Sequence, residues 1–218
     1  MGVLTRAAAR PAAPGDDRAP AVEPVSEQIQ RWLDAPGGKT LGGLIAFIEE
    51  KSFTLLFVLL LGVPALPLPT GGATHVFEVV AMLLALQLIA GRDEVWLPRR
   101  WRRIDLAGPA RRRFLGSLVG AIRFLERFSR PRLRFLFGHR LSDIVFGSAT
   151  LGGSLAAFLA PPFTGLDTLP ALGVVLISLG VLLEDFLVVA AGAVTGVAGV
   201  ALALLLGGAA LRGLESLF

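Results

Sequence analysis

The feature that most constrains this chain is a stretch of 26 residues without a single charged side chain, from Phe186 to Leu211. An α-helix of that length rises about 39 Å at 1.5 Å per residue, which exceeds a hydrocarbon core of roughly 30 Å. The whole chain is 54% hydrophobic and only 17% charged, and that is less charge than the surface of a soluble domain needs. The sequence therefore predicts an all-α integral membrane protein, with residues 186–211 as its C-terminal transmembrane span.

Composition and motifs also exclude several classes of site. The chain has no cysteine, so disulfides, thiol catalysis and cysteine-ligated metals are excluded. His75 and His139 lie far apart, without metal-ligand spacing, and no nucleophile elbow or clustered acid–base set is present. We therefore predict a protein that is not an enzyme and has no catalytic residues, metal site or cofactor. The alternative is an enzyme that acts on lipid phosphates, and the missing acid–base set argues against it.

A Pro/Gly-rich break interrupts the first apolar region of the chain. It separates two apolar runs, Ser52 to Leu66 and His75 to Gly91, which are short for spans because 15 helical residues rise only about 22 Å. Residues 67–74 carry no charge, which favours a re-entrant hairpin or a pair of broken helices. Irregular backbone at membrane depth is tolerated only where it packs in protein or lines a wet cavity. The alternative is two ordinary spans joined by a small exposed loop.

A second break resembles the first. Thr-Gly-x-x-Thr occurs at Thr70 to Thr74 and again at Thr164 to Thr168, each time just after prolines and an apolar run. Each break is followed by a short apolar helix that ends in acidic residues. The pattern predicts two related halves, each a broken hairpin, and leaves open whether they are inverted or parallel. We divide residues 26–211, a single membrane domain, into a first repeat (about 40–91), a second repeat (about 141–185) and the final span, and we interpret residues 1–25 as a disordered tail.

The segment between the two repeats, residues 92–140, is strongly basic. It contains fourteen arginines and four acidic residues, a net charge of +10, whereas the whole chain carries +4. The positive-inside rule places such a segment in the cytoplasm, and contact with membrane lipids is favoured over nucleic-acid binding. Within it, Phe114 to Phe128 is amphipathic and predicts an interfacial helix, in which Glu126 pairs with Arg130.

The paired breaks are the candidate binding site. Half-helix ends expose unpaired N–H groups and a partial positive charge, which favour an anion or a polar headgroup. Glu78 lies among Val and Phe, where an ionisable group is costly. It predicts a cation pathway, a proton site or a pair with an arginine such as Arg92, unless it is merely solvated at a wet turn. The candidate substrate-binding residues are Pro67, Thr70, Gly71, Thr74, Glu78, Arg92, Pro162, Thr164, Gly165 and Asp185.

The first break and the residues after it resemble the ExoD-type family of exopolysaccharide-synthesis membrane proteins. The resemblance covers roughly residues 26–210 and departs from the family near Asp185, where a basic-acidic-glycine sequence is replaced by Glu184-Asp185-Phe186. The residues that carry it are Pro67, Pro69, Gly71, Gln87, Gly91-Arg92, Trp96-Leu97-Pro98, Arg130-Pro131-Arg132, Pro161-Pro162 and Asp185.

The resemblance implies a multi-pass protein of the bacterial inner membrane that is linked to exopolysaccharide synthesis or export. We expect it to be transporter-like, with its site between the two broken hairpins. The alternative is a non-transporting accessory subunit whose basic segment binds lipid or the polysaccharide-synthesis machinery. Gly192 and Gly196 offer a face for close helix packing, and we expect a homodimer.

Overall fold

The computed structural model describes residues 23–48, 51–66, 74–92, 94–129, 139–160 and 164–215, with side chains to residue 206. Within these residues the protein is all-helical, and its one isolated β-bridge joins Thr40 to Asp105. The helices are α1 (Val25–Asp34), α2 (Leu41–Ile48), α3 (Ser52–Leu61), α4 (His75–Ile89), α5 (Arg99–Arg102), α6 (Pro109–Glu126), α7 (Arg140–Leu159), α8 (Thr168–Leu182) and α9 (Phe186–Glu215).

Two helices, α1 and α2, precede the first apolar run. The Thr40 hydroxyl accepts a hydrogen bond from the Gly43 N–H at 3.1 Å, as expected of a residue that caps a helix start. Residues 1–22, most of the predicted tail, lie outside the described residues.

Helix α6 confirms the amphipathic pattern of the basic segment, but its apolar side is buried within the protein. The pattern buries Leu115, Leu118, Val119 and Ile122, and α6 packs on α1. The Glu126 carboxylate accepts hydrogen bonds from the backbone N–H of Ser26, at 3.1 Å, and from its hydroxyl. It therefore satisfies a donor in the first turn of α1, and its predicted partner Arg130 lies outside the described residues.

Helices α3, α4, α7, α8 and α9 form the main bundle. Helix α3 packs against α4 and α7 against α8, while α4 also packs against α7 and α3 against α8. The start of α4 lies beside the end of α7, where the rings of His75 and Phe158 are 5.1 Å apart. The start of α3 lies beside the end of α8, where Lys51 donates to the Leu182 carbonyl at 3.0 Å. The two hairpins, α3–α4 and α7–α8, therefore point in the same direction.

This arrangement gives the bundle two chemically different ends. The tip end holds the last turn of α3 and of α7 and the starts of α4 and α8, next to the two predicted breaks. The basic end holds Lys51, Arg92 and Arg140. Most residues of the breaks themselves, 67–73 and 161–163, lie outside the described residues.

Helices α4 and α8 have equal length, 15 residues each, and end in the same hydrogen-bonded turn. In α4 the N–H groups of Gly91 and Arg92 bond to the carbonyls of Leu88 and Gln87, and in α8 those of Glu184 and Asp185 bond to Val181 and Gly180. This is the Schellman pattern, which requires a left-handed residue after the cap. Gly91 (φ 84°) and Glu184 (φ 56°) fill that position.

Basic side chains donate hydrogen bonds to carbonyls at both of these helix ends. The Arg140 guanidinium donates to the carbonyls of Leu88, at 2.8 Å, and of Ile89. Lys51 binds the Leu182 carbonyl and lies 3.3 Å from the Glu184 carboxylate. A cation at a helix C-terminus offsets the partial negative charge of the exposed carbonyls.

Glycines set the close approach of α8 to α9. A Cβ atom on Gly173 would overlap the Cα of Gly196, and one on Gly192 would lie 2.5 Å from the backbone nitrogen of Ile177. Gly192 and Gly196 therefore pack inside the protomer, and the expectation that they form a packing face for a second copy is wrong. Gly147 and Gly153 do pack closely against α4 and α8.

We predict opposite effects for alanine at the two facing glycines. Gly173→Ala forces α8 and α9 apart and should destabilise the protein by about 1–3 kcal/mol, the usual cost of overpacking. Gly196→Ala places its Cβ 3.6 Å from the Gly173 Cα, an ordinary contact, and removes the entropy cost of a helical glycine. Thermal unfolding of the purified variants should show a lower Tm for the first and an unchanged or higher Tm for the second. Equal Tm values would contradict this account of the α8–α9 contact.

Candidate functional site

The buried carboxylate of Glu78 lies at the tip end, in the first turn of α4. Its side chain is 0% exposed, so the alternative of a solvated carboxylate at a wet turn is wrong. Its Oε2 atom lies 2.7 Å from Nδ1 of His75, three residues earlier on the same helix face. Its Oε1 atom has no hydrogen-bond partner among the described residues. A buried charge normally has its hydrogen-bonding capacity filled, so this half-paired carboxylate is the unusual group of the bundle.

Three further side chains surround this pair. The Thr74 hydroxyl, itself buried, approaches the same carboxylate, and the Asp167 carboxylate at the start of α8 is near enough to repel it. The Phe158 ring of α7 packs against the imidazole with its plane tilted by 58°. We name Thr74, His75, Glu78, Phe158 and Asp167 the tip cluster; it draws residues from α7 and from the starts of α4 and α8.

Burial and the contact with His75 are the largest electrostatic influences on Glu78, and the repulsion from the Asp167 carboxylate is smaller. The N-terminal end of α4 carries a partial positive charge that stabilises an anion in its first turn, and Glu78 takes that position. His75 adds a full positive charge only when its ring is protonated. The arrangement can bind a proton or exchange one between carboxylate and imidazole. Among the described residues no group of three or more His, Asp or Glu side chains could hold a metal ion.

A cavity of about 610 Å³ lies at the basic end. Ser52 and Phe53 of α3 line one side of it, and Arg92 and Asp143 line another, with Arg102 completing a mixed, polar wall. It is separated from the tip cluster by most of the length of α4, because the 14 residues from Glu78 to Arg92 correspond to a rise of about 21 Å.

The structure brings together only part of the predicted site. Thr74 and Glu78 belong to the tip cluster, and Thr164 and Gly165 lie at the same end, just before α8. The Thr164 hydroxyl accepts from the Leu166 N–H at 3.3 Å, and Gly165 has a φ of 69°, so both shape the turn. Pro67, Thr70, Gly71 and Pro162 lie outside the described residues.

Arg92 and Asp185 lie at the opposite end from Glu78. Arg92 belongs to the turn that ends α4 and lines the basic-end cavity, so the suggested pairing of Glu78 with Arg92 is not formed. Asp185 is buried and its Oδ1 accepts from the Leu187 N–H at 2.9 Å. Asp185 therefore caps the start of α9. This structural role does not depend on the basic-acidic-glycine sequence that is absent from this chain.

His75 and Asp167 are the site residues that the sequence reasoning missed. The signal for His75 was present, because residues three apart share a helix face and His75 precedes Glu78 by three. Asp167 could not be found in this way, since its approach to Glu78 depends on how the two hairpins pack. Gln87, one of the residues behind the family resemblance, fastens the chain after α4 by bonding the N–H of Trp96 at 2.9 Å and its carbonyl at 3.2 Å.

Comparison with known proteins identifies the family. The family described as "Exopolysaccharide synthesis, ExoD" matches residues 25–205. The Synechocystis sp. protein slr1875, described as uncharacterized, is 31% identical over 176 residues, which cover 79% of this chain and 82% of that protein. Protein ExoD of Rhizobium meliloti is 32% identical over 154 residues, 70% of this chain, and the match spans 64% of its length. No solved structure matches.

The family match extends from the first residue of α1 into α9 and so includes the whole tip cluster. It confirms the resemblance inferred from the Pro/Gly break, Gln87 and the residues after α4. The chain belongs to the ExoD family of exopolysaccharide-synthesis proteins.

Proposed function

We propose that this chain is a multi-pass protein of the bacterial inner membrane that moves a solute during exopolysaccharide synthesis or export. The tip cluster, between the two hairpins, is its binding site. The half-paired, fully buried carboxylate of Glu78 is the observation that carries this proposal. An ionisable group at such depth in an apolar bundle is costly and marks a pathway or binding site. The proposed role involves no catalytic reaction.

The exposed surface supports membrane insertion. Two helices are long and apolar enough to cross a membrane, residues 140–159 of α7 and residues 186–206 of α9. Only 11% of the apolar window of α9 is buried against the rest of the protein, and Val194, Val197 and Leu204 are each at least 70% exposed. An apolar surface of this size is unfavourable in water and is expected to contact lipid or another protein.

The helix ends support the two related halves. Helix α8 begins and ends 93 residues after α4, and both helices close in the same turn with a left-handed residue. The preceding residues also match, Thr74 with φ −68° and ψ −27°, and Asp167 with φ −70° and ψ −26°. Because both hairpins point the same way, the proposed halves are parallel, related by an axis along the bundle. We retain membrane lipids, a second copy of the chain and the polysaccharide-synthesis machinery as proposed partners.

The accessory-subunit alternative rests on the surface of α6. Arg111, Arg112 and Arg113 are exposed there, and the rings of Phe124 and Phe128, 60% and 70% exposed, lie 5.2 Å apart. Exposed aromatic rings beside arginines suit the headgroup region of an anionic membrane or an acidic partner.

Glu78→Gln tests the proposed site. The change keeps the size of the side chain and its hydrogen bond to His75 but removes the charge. In cells whose own gene is deleted, we expect it to lower secreted exopolysaccharide about ten-fold, the factor for one lost interaction of roughly 1.4 kcal/mol. Glu27→Gln, at an exposed position on α1, should leave secretion unchanged and serves as the matched control.

The same assay separates the two candidate functions. A protein in which Arg111, Arg112 and Arg113 are all replaced by Gln should keep most of its secretion if the tip cluster is the working site. Loss of secretion in that variant, with Glu78→Gln indistinguishable from wild type and both proteins present in the membrane, would favour the accessory subunit.

The absence of cysteine allows a direct test of insertion and of the parallel hairpins. We expect Leu66→Cys and Thr164→Cys, both at the tip end, to react with a membrane-impermeant thiol reagent in intact cells. Gly108→Cys, beside the basic segment, should react only in inverted vesicles, because basic segments stay in the cytoplasm. Labelling of Leu66→Cys and Thr164→Cys from opposite sides would contradict the parallel arrangement, and labelling of all three from one side would contradict membrane insertion.

A further inference from the structure

Three buried hydroxyl groups lie in the bundle interior without hydrogen-bond partners. They belong to Thr150 and Ser154 of α7 and Ser178 of α8, and each side chain is 0% exposed. None of the three oxygens has a partner among the described residues. Together with Oε1 of Glu78 they make up most of the unpaired buried side-chain atoms that the structure describes.

These three hydroxyls do not form the hydrogen bond to a carbonyl of their own helix that is available to them. A Ser or Thr inside a helix can donate to the carbonyl one turn earlier. Thr195 of α9 does so, with its hydroxyl 2.8 Å from the Ala191 carbonyl, and Ser117 of α6 does so at 3.1 Å. Buried polar atoms that satisfy neither a neighbouring carbonyl nor another side chain are rare and need an explanation.

The register of the helices orders these groups by depth along the bundle, and we name the resulting series the line of hydroxyls. Two contacts set the register of α4 against α7. His75 of α4 packs on Phe158 of α7, and Ala85 of α4 lies beside Gly147 of α7. Ser154 and Thr150 therefore lie at successively greater depth from Glu78, four residues and about 6 Å of rise apart. Ser178 continues the line, because Gly153 packs against Pro170 and Val174 of the antiparallel α8, which places Ser178 deeper than both.

The line connects the two polar regions already described. It begins at the free oxygen of Glu78 in the tip cluster. Beyond Ser178 it reaches the level of Ser52 and Asp143, which line the cavity of about 610 Å³ at the basic end. A hydroxyl is both a donor and an acceptor and can rotate, and buried water binds where two or more polar groups are within reach. Such a line has the chemistry to hold a file of water molecules.

We propose that the bundle conducts protons between its two ends, with Glu78 and His75 as the proton-binding pair and the line of hydroxyls as the path. A proton binds at Oε1 of Glu78 or on the imidazole. It leaves through water molecules held by Ser154, Thr150 and Ser178, each of which accepts one hydrogen bond and donates the next, to the basic-end cavity, or in the reverse direction. Nothing is oxidised or reduced, and one proton enters for each that leaves. This inference rests on the proposed function and names the proton as the ion that the site takes.

The charged groups around Glu78 suit this assignment. On α4 it faces His75 and Thr74, on α8 it faces Asp167, and on α7 the described neighbours at this level, Ser154 and Phe158, are uncharged. Two carboxylates and one imidazole form a set that is short of positive charge while the imidazole is neutral.

Proton flux into liposomes tests the path. Purified protein is reconstituted into liposomes that enclose a pH-sensitive dye. Proton flux is then followed under an imposed pH gradient with the membrane potential clamped. We expect Thr150→Val, Ser154→Ala and Glu78→Gln each to lower the flux about ten-fold or more relative to wild type. Thr195→Val, which removes a hydroxyl that is already bonded on exposed α9, is the matched control and should change it less than about two-fold.

Thermal unfolding separates loss of the path from loss of the fold. Replacing an unpaired buried hydroxyl by an apolar group of the same shape is neutral or stabilising, so Thr150→Val should keep or raise the Tm while it lowers the flux. Flux that equals that of protein-free liposomes, flux of Na⁺ in place of protons, or flux unchanged in Thr150→Val and Ser154→Ala would each overturn the proposal. If the wild type conducts no protons but Glu78→Gln still abolishes exopolysaccharide secretion, the result would support the proposed binding site and overturn the proposed proton path.

Discussion

The closed ends of α4 and α8 are the constraint on which the rest of this bundle depends. The end of each helix leaves four carbonyls without intrahelical partners, and other groups must satisfy them. Here a Schellman turn satisfies two of them at each helix, and Arg140 or Lys51 satisfies others from a neighbouring element. These contacts hold the start of α7 against the end of α4 and the start of α3 against the end of α8. They therefore fix the direction of both hairpins and the depth at which Glu78 lies.

Local patterns in the sequence predicted the elements well, and the failures are those of long-range placement. The short apolar helix after each break and the amphipathic pattern of α6 follow from residues within one or two turns of each other, and both are found. Most residues of the two breaks themselves lie outside the described residues. The suggested partner of Glu78 was Arg92, because both flank one short helix, but a helix separates its two ends by its full length. Which group reaches Glu78 depends on how the two hairpins pack against each other, and no local periodicity encodes that contact. The role of Gly192 and Gly196 was likewise missed, since a small-residue face does not indicate whether its partner is in the same chain.

The proposed duplication matches unlike residues at the polar positions of the interior. With an offset of 93 residues, Glu78 corresponds to Ala171, Ser178 to Ala85, and Thr150 and Ser154 to Phe57 and Leu61. Phe57 and Leu61 are fully buried and apolar, so under the proposed duplication these positions carry hydroxyls in α7 and apolar side chains in α3. The Thr-Gly-x-x-Thr repeat aligns the two breaks with an offset of 94, whereas the helix ends give 93. The two offsets differ by one residue, and the choice between them depends on the helix boundaries.

The tip cluster also alters which ligand the half-helix ends can attract. Unpaired N–H groups at two helix starts favour an anion from solution, which was the expectation from the sequence. In the structure each start already has a carboxylate of its own, Glu78 in the first turn of α4 and Asp167 just before α8. The partial positive charge of the helices is thus offset within the protein, and a second anion would meet repulsion from both carboxylates. A proton or another cationic group would lower that repulsion on binding, so the two carboxylates favour the proposed proton site over the anion site that the helix ends alone suggested.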